Sequence, residues 1–154
     1  MRRILLVLCI SLFAGSLFAQ GTKTLDDAWM KAVKAGDAEA LTKLYSPDAV
    51  TYMPDEMKAK GTAEIRESFQ KFLGANTVKD MTLTYDYTTS SGNLAVSSGT
   101  FTMTVEPKAG GVAQTMEGRF TSVAVRKGGK WMYVVDHASA PMPPPAPAAA
   151  PPPK

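Results

Sequence analysis

The sequence predicts an α+β domain, on three observations. Apolar residues recur at helical spacing in its first half, threonine, valine and aromatic residues alternate from Met81 onward, and glycine-containing turns cut that second half into hairpins. A domain of this length holds one core.

The first helix is marked by Leu25, Ala28, Trp29, Ala32 and Val33, with Thr24 as its cap and Asp26 and Asp27 in its first turn. Gly36 stops it. Asp37 can cap a second, short helix carrying Leu41, Leu44 and Tyr45, which Pro47 ends. The alternating stretch from Ala49 to Met53 reads as a strand. A third helix starts at Thr62, with Ile65, Phe69, Phe72 and Leu73 on one face and Glu64, Arg66, Glu67 and Lys71 largely on the other. Turns at Ser91-Gly92-Asn93, Gly110-Gly111 and Gly128-Gly129 then join about four antiparallel strands.

The two ends differ from this domain. Residues 1–19 follow the order of a secretory signal: basic Arg2 and Arg3, an apolar run from Ile4 to Phe13, and Leu17-Phe18-Ala19 before the cleavage point. The apolar run is short of the roughly 20 residues that span a bilayer, so the mature protein is expected to be exported, periplasmic or extracellular, without membrane insertion. Residues 140–154 contain only alanine, proline, one methionine and a final lysine, which predicts an extended, solvated tail. The domain is residues 20–139.

Removing the signal lowers the net charge from +3 to +1, since Arg2 and Arg3 leave with it. That balance lacks the basic excess a nucleic-acid partner needs. Cys9, the only cysteine, leaves too, and His137 is the only histidine, so neither a thiolate nor an imidazole metal site is expected. No loop has the spaced acidic residues of a calcium site, and no cofactor is predicted.

Several segments together resemble a known family. Ala35-Gly36-Asp37, Leu44-Tyr45-Ser46-Pro47-Asp48-Ala49-Val50, Met53-Pro54, Lys60-Gly61-Thr62-Ala63-Glu64-Ile65-Arg66, and Gly129-Lys130-Trp131 leading to Asp136-His137 are similar to the SnoaL-like, ketosteroid-isomerase-like branch of the nuclear transport factor 2-like superfamily. The resemblance covers almost the whole domain. It implies a cone, in which a strongly bent antiparallel sheet wraps around about three helices and a pocket opens between them. Such a fold hosts isomerases, cyclases, dehydratases and binding subunits, so activity must be argued position by position.

At the positions implied for the steroid isomerases' phenolic donor, catalytic carboxylate and protonated acid stand Trp29, Met53 and Thr121. A methionine cannot be a base, so that mechanism is not expected. The cyclases of the family are a better match, because they resemble this chain in carrying an acid/base aspartate near the end of the last strand, where Asp136 stands. With the fold so implied, Trp29, Tyr52, Met53 and Phe69 would line the pocket; without it they are ordinary core.

The last hairpin can be registered from its turn alone. If Gly128-Gly129 is a two-residue turn, Val125 faces Met132, Val123 faces Val134 and Thr121 faces Asp136, all on one face with Arg119 diagonal to Asp136. The resemblance assigns that face to the pocket, adding Arg119, Thr121, Val123, Met132 and Val134 to its lining. The opposite face carries Tyr133, Val135 and His137 and is too apolar to stay wet, which predicts a homodimer through it. Asp136 is then either an acid/base raised by burial and restrained by Arg119, or one half of a rim ion pair. His137 reads as an interface or core histidine.

Three functions are carried forward: a secreted binder of a small apolar or amphipathic molecule without chemistry of its own; a cyclase-, isomerase- or lyase-like enzyme using Asp136; and a dimeric interaction module. Exported protein is expected to begin at Gln20. Mass spectrometry of secreted material that finds Met1 intact would contradict the signal peptide.

Overall fold

The computed structural model describes residues 14–54 and 56–141, so most of the expected signal peptide and the tail from residue 142 lie outside the described residues. Helical spacing of apolar residues produces α1, Ala14–Ala35. It runs unbroken through Thr24, the expected cap, because no proline interrupts it and the helix former Leu17 precedes it. The predicted cleavage point after Ala19 falls inside this helix. Its buried side holds Leu25, Asp26, Ala32 and Val33, with Trp29 partly buried, whereas Ala28 is exposed.

Gly36, at φ 68°, reverses the chain. Asp37 caps α2, Ala38–Thr42, by accepting the Ala40 backbone N–H at 2.8 Å. Strand β1, Tyr45–Tyr52, starts four residues earlier than the alternation at Ala49 suggests. Tyr45, expected on the second helix, belongs to the strand because Leu44 and Tyr45 are recruited by the last strand: the Tyr133 N–H donates to the Leu44 carbonyl at 2.9 Å. Pro47 does not end a helix. It sits where the pairing slips between Tyr45 and Val50, a place where a missing donor is tolerated.

A two-residue strand, β2 (Ala59–Lys60), leads into α3, Gly61–Ala75, which buries Ile65, Phe69 and Leu73 as its periodicity predicts. Four long strands follow: β3, Asn76–Ser91; β4, Leu94–Pro107; β5, Gln114–Lys127; and β6, Lys130–Ser139. The six strands form one bent, unclosed sheet in the order β2-β1-β6-β5-β4-β3, antiparallel throughout except for the parallel pairing of β1 with β6. Helix α1 packs on β3 and β6, α3 packs on β1 and β3, and α2 sits against both helices. The core lies between these helices and the inner face of the sheet.

The hairpin of β5 and β6 departs from the regular register in one place. Near the turn Val125 faces Met132 and Ala124 faces Tyr133 as expected, but the next pairs are Val123 with Val135, Ser122 with Asp136 and Thr121 with His137. Val134 is thus an extra residue, a β-bulge, and a one-residue slip exchanges the faces beyond it. Asp136 shares its face with Ser122, Phe120 and Ala138, not with Thr121 and Arg119. Tyr133, expected on the outer, dimer-forming face with Val135 and His137, is buried inside.

Curvature at the other end of the sheet has a similar origin. The β3–β4 pairing slips between Tyr85 and Tyr87, and opposite that slip stands Gly99, where a Cβ would come within 1.9 Å of the Thr84 carbonyl oxygen. Only glycine fits so close a backbone approach. Gly99→Ala is expected to lower stability by about 1–3 kcal/mol through overpacking. Urea unfolding with an unchanged midpoint would contradict the steric argument.

Candidate functional site

Between the helices and the inner sheet face lies a cavity of about 170 Å³. Its walls come from Trp29 and Val33 of α1, Phe69 and Phe72 of α3, Met81 and Leu83 of β3, and Phe101 and Met103 of β4. Phe120 and Ala138 extend the apolar lining, and Met53, Pro54 and Met116 complete it. The wall formed by Phe101 depends on Gly118, whose added Cβ would meet the Phe101 ring at 2.4 Å.

Three carboxylates, Asp26, Glu56 and Asp136, line this largely apolar space, and two of them are buried. Asp26 is 3% exposed and Asp136 is 8% exposed. Buried carboxylates need hydrogen-bond donors, and hydroxyl groups supply them here. Tyr45 donates to Asp136 Oδ2 at 2.6 Å and Ser122 donates to Oδ1 at 3.2 Å. The Tyr45 oxygen in turn accepts the Trp29 indole N–H at 2.8 Å. Asp26 accepts from Tyr85 at 2.7 Å on one oxygen and from Tyr133 on the other. The Tyr45 and Tyr133 rings lie 5.1 Å apart, so the two carboxylate–phenol units are neighbours packed ring to ring.

Burial raises both carboxyls above the ordinary aspartate value. For Asp136 the hydrogen bonds from Tyr45 and Ser122 and the nearby His137 act against that rise, and Asp26 adds to it. For Asp26 the Tyr133 and Tyr85 hydroxyls hold it down, Asp27 pushes it up and Lys23 pulls it down. The phenols Tyr45 and Tyr133 are pushed well above the ordinary tyrosine value by burial and by the carboxylates, so both remain protonated donors. Among the described residues no group of three or more histidine, cysteine, aspartate or glutamate side chains is placed to hold a metal ion.

The sequence-predicted site residues divide into two sets. Trp29, Met53, Phe69 and Asp136 line the cavity. Arg119 and Thr121 instead lie with His137 and Ser139 along a shallow groove outside it, so the expected pairing of Arg119 with Asp136 is replaced by hydroxyl contacts. Val123, Met132 and Val134 are absent from the lining, Val123 because the alternation of β5 puts it on the outer face with Thr121 and Arg119. Tyr52 is exposed, with its ring edge-on to His137 at 5.9 Å. Sequence reasoning missed Asp26, Tyr45, Tyr85, Ser122 and Tyr133. For Asp26 a signal existed: it precedes Trp29 by three residues and Val33 by seven, which places it on the buried helix face.

Comparison with known proteins agrees with this architecture. A family described as the SnoaL-like domain matches residues 27–134. No curated protein matches. Among solved structures, a ketosteroid isomerase-like protein from Erwinia carotovora atroseptica SCRI1043 superposes with a TM-score of 0.72 at 20% identity, covering 80% of this chain and 96% of that one. A conserved protein from Planctomyces limnophilus DSM 3776 has a TM-score of 0.73 at 18% identity, with coverages of 80% and 96%. A nuclear transport factor 2-like superfamily protein from Salmonella enterica serovar Typhimurium LT2 has a TM-score of 0.72 at 20% identity, covering 88% and 99%. At these identities the likeness concerns the fold.

The raised carboxyls have a thermodynamic consequence of definite sign. The folded state binds their protons more tightly than the unfolded chain does, so their contribution to stability is full below the ordinary aspartate value and is lost as pH rises through the raised values. Asp48, which is held below its ordinary value, acts in the opposite sense at lower pH. Asp136→Asn is expected to flatten the decline in melting temperature above about pH 4. An unchanged slope in that variant would show that folding does not raise the proton affinity of Asp136.

Proposed function

The chain belongs to the SnoaL-like domain family, and we propose that it is an exported module that holds a small molecule of about single-ring size in its cavity and releases it unchanged. The fold is one of small-molecule-binding and isomerase-like domains. The observation that carries the binding reading is the cavity itself: a preformed apolar space with two buried, hydrogen-bonded carboxylates on its wall. Its volume of about 170 Å³ matches the size of pocket that takes up a benzene-sized guest.

Several features favour retention over turnover. Both oxygens of each carboxylate already accept a hydroxyl hydrogen bond. Those hydrogen bonds act against the rise in basicity that burial causes, and they fix each carboxylate in a position suited to orienting a ligand. Four methionines, Met53, Met81, Met103 and Met116, line the cavity, and their flexible side chains adapt to guests of differing outline. Export rests on the signal-like residues 1–19.

A second reading has one observation in its favour. Asp136 is a carboxyl raised by burial at the wall of a pocket, which is what a general acid needs. Asp136→Asn separates the readings, since it removes the proton-transferring group but keeps shape and much of the hydrogen bonding.

Methionine-methyl NMR tests the binding reading directly. Toluene added to the mature protein is expected to shift the Met81 and Met103 methyl signals and to leave Met57, which is 91% exposed and outside the cavity, unmoved. Absence of any shift at saturating toluene would overturn the proposal.

A further inference from the structure

We propose that the ligand is a small organic cation, an ammonium group carried on a ring or short hydrocarbon and seated against Asp26 and Asp136. The inference rests on the binding reading above and names its ligand class.

The charge balance of the cavity carries it. Three carboxylates line the cavity, Asp26, Asp136 and Glu56, and among the described residues no lysine, arginine or histidine lines it. This contrasts with a chain whose overall balance of charge is slightly basic, +1 without residues 1–19. Glu56 has its own cation in Lys71, at 3.4 Å, and accepts from Ser68. The other ion pairs join Lys23 to Asp27, Lys34 to Asp80, Arg66 to Glu39 and Lys79 to Glu106. Among the described residues, then, no basic side chain forms an ion pair with Asp26 or Asp136.

Hydroxyl donors satisfy the hydrogen bonding of these two groups but bring no charge to offset theirs. A buried carboxylate without a counter-charge is unfavourable, and a cationic guest supplies that charge where the protein does not. The remaining walls suit the same guest. Trp29, Phe69, Phe101, Phe120 and Tyr133 surround the space with aromatic surface, which attracts a cation lying over a ring face and accepts hydrocarbon elsewhere. A carboxylate or phosphate ligand would meet like charge, and a neutral ligand would leave the imbalance in place.

Protons occupy the same role when no guest is present, so the cation and protons compete. The groups that bear on this competition are Tyr85, Tyr133, Asp27 and Lys23 around Asp26, and Tyr45, Ser122, His137 and Asp26 itself around Asp136. Cation binding should therefore strengthen as pH rises and should release protons wherever the carboxyls are still partly protonated.

The test compares three probes of similar shape on the mature protein: benzylammonium, benzyl alcohol and benzoate, each followed by calorimetry and by the Met81 and Met103 methyl signals at pH 7.5. Benzylammonium is expected to bind about tenfold more tightly than benzyl alcohol, with benzoate weakest. Its affinity should fall as pH is lowered through the raised values of the two carboxyls while that of benzyl alcohol stays level, and Asp136→Asn should shrink the preference. Benzyl alcohol binding as tightly as the cation, or benzoate more tightly, would overturn the cation assignment and leave the binding reading standing. Failure of all three to shift the methyl signals would overturn both. If Asp136→Asn does not fold, the pH series on the unaltered protein decides, since a pH-independent cation affinity contradicts the proposal.

Discussion

The arrangement of the site depends on one inserted residue, Val134 in β6. Without it, strict alternation would send Tyr133 and Asp136 to opposite faces of the sheet. With it, both turn inward, one toward Asp26 on α1 and the other toward Tyr45 on β1. The bulge therefore converts a single strand into the link between two carboxylate–phenol units, and it turns Asp136 away from Arg119 and Thr121, which the regular alternation of β5 keeps on the outer face. The same slip parts Asp136 from the cation on that outer face that would have neutralised it.

The polar groups so gathered are held by rigid elements. Asp26 and Trp29 come from a helix, and Tyr45, Tyr85, Ser122, Tyr133 and Asp136 from strands. Each buried carboxylate takes two hydroxyl donors, and the Trp29 indole joins Tyr45 to the set. A fully satisfied network of this kind specifies one geometry, because losing any member would leave a buried group without its partner.

Much of the fold was legible in residue spacing, and the reasons are local. Ile65, Phe69 and Leu73 declare the buried face of α3, Asp37 declares the cap of α2, and the glycine turns separate the long strands. The site was legible only where it followed the same local rules, as Trp29 and Phe69 do. Asp136 was found through the family resemblance, which places an aspartate at the end of the last strand, yet its partners were misplaced, since a bulge is set by tertiary packing and leaves no signature in the turn that registers a hairpin. Tyr45 was read as helical for a related reason: its strand exists because β6 pairs with it, and that partner lies far along the chain. Asp26 was passed over because an aspartate in a helix is read first as a surface charge.

That long-range pairing has a consequence for when the site comes into being. Tyr45 and Asp136 are 91 residues apart, and the strands that carry them meet in the only parallel contact of the sheet. The hairpins can close early because their loops are short, whereas joining β1 to β6 must wait for the last strand to be made and must close nearly the whole domain as a loop. A chain still being synthesised thus has its helices and hairpins, and the Tyr85–Asp26 contact, available before it has the units that need Tyr133 and Asp136. The complete polar site arrives with the final strand and reports that the domain is complete.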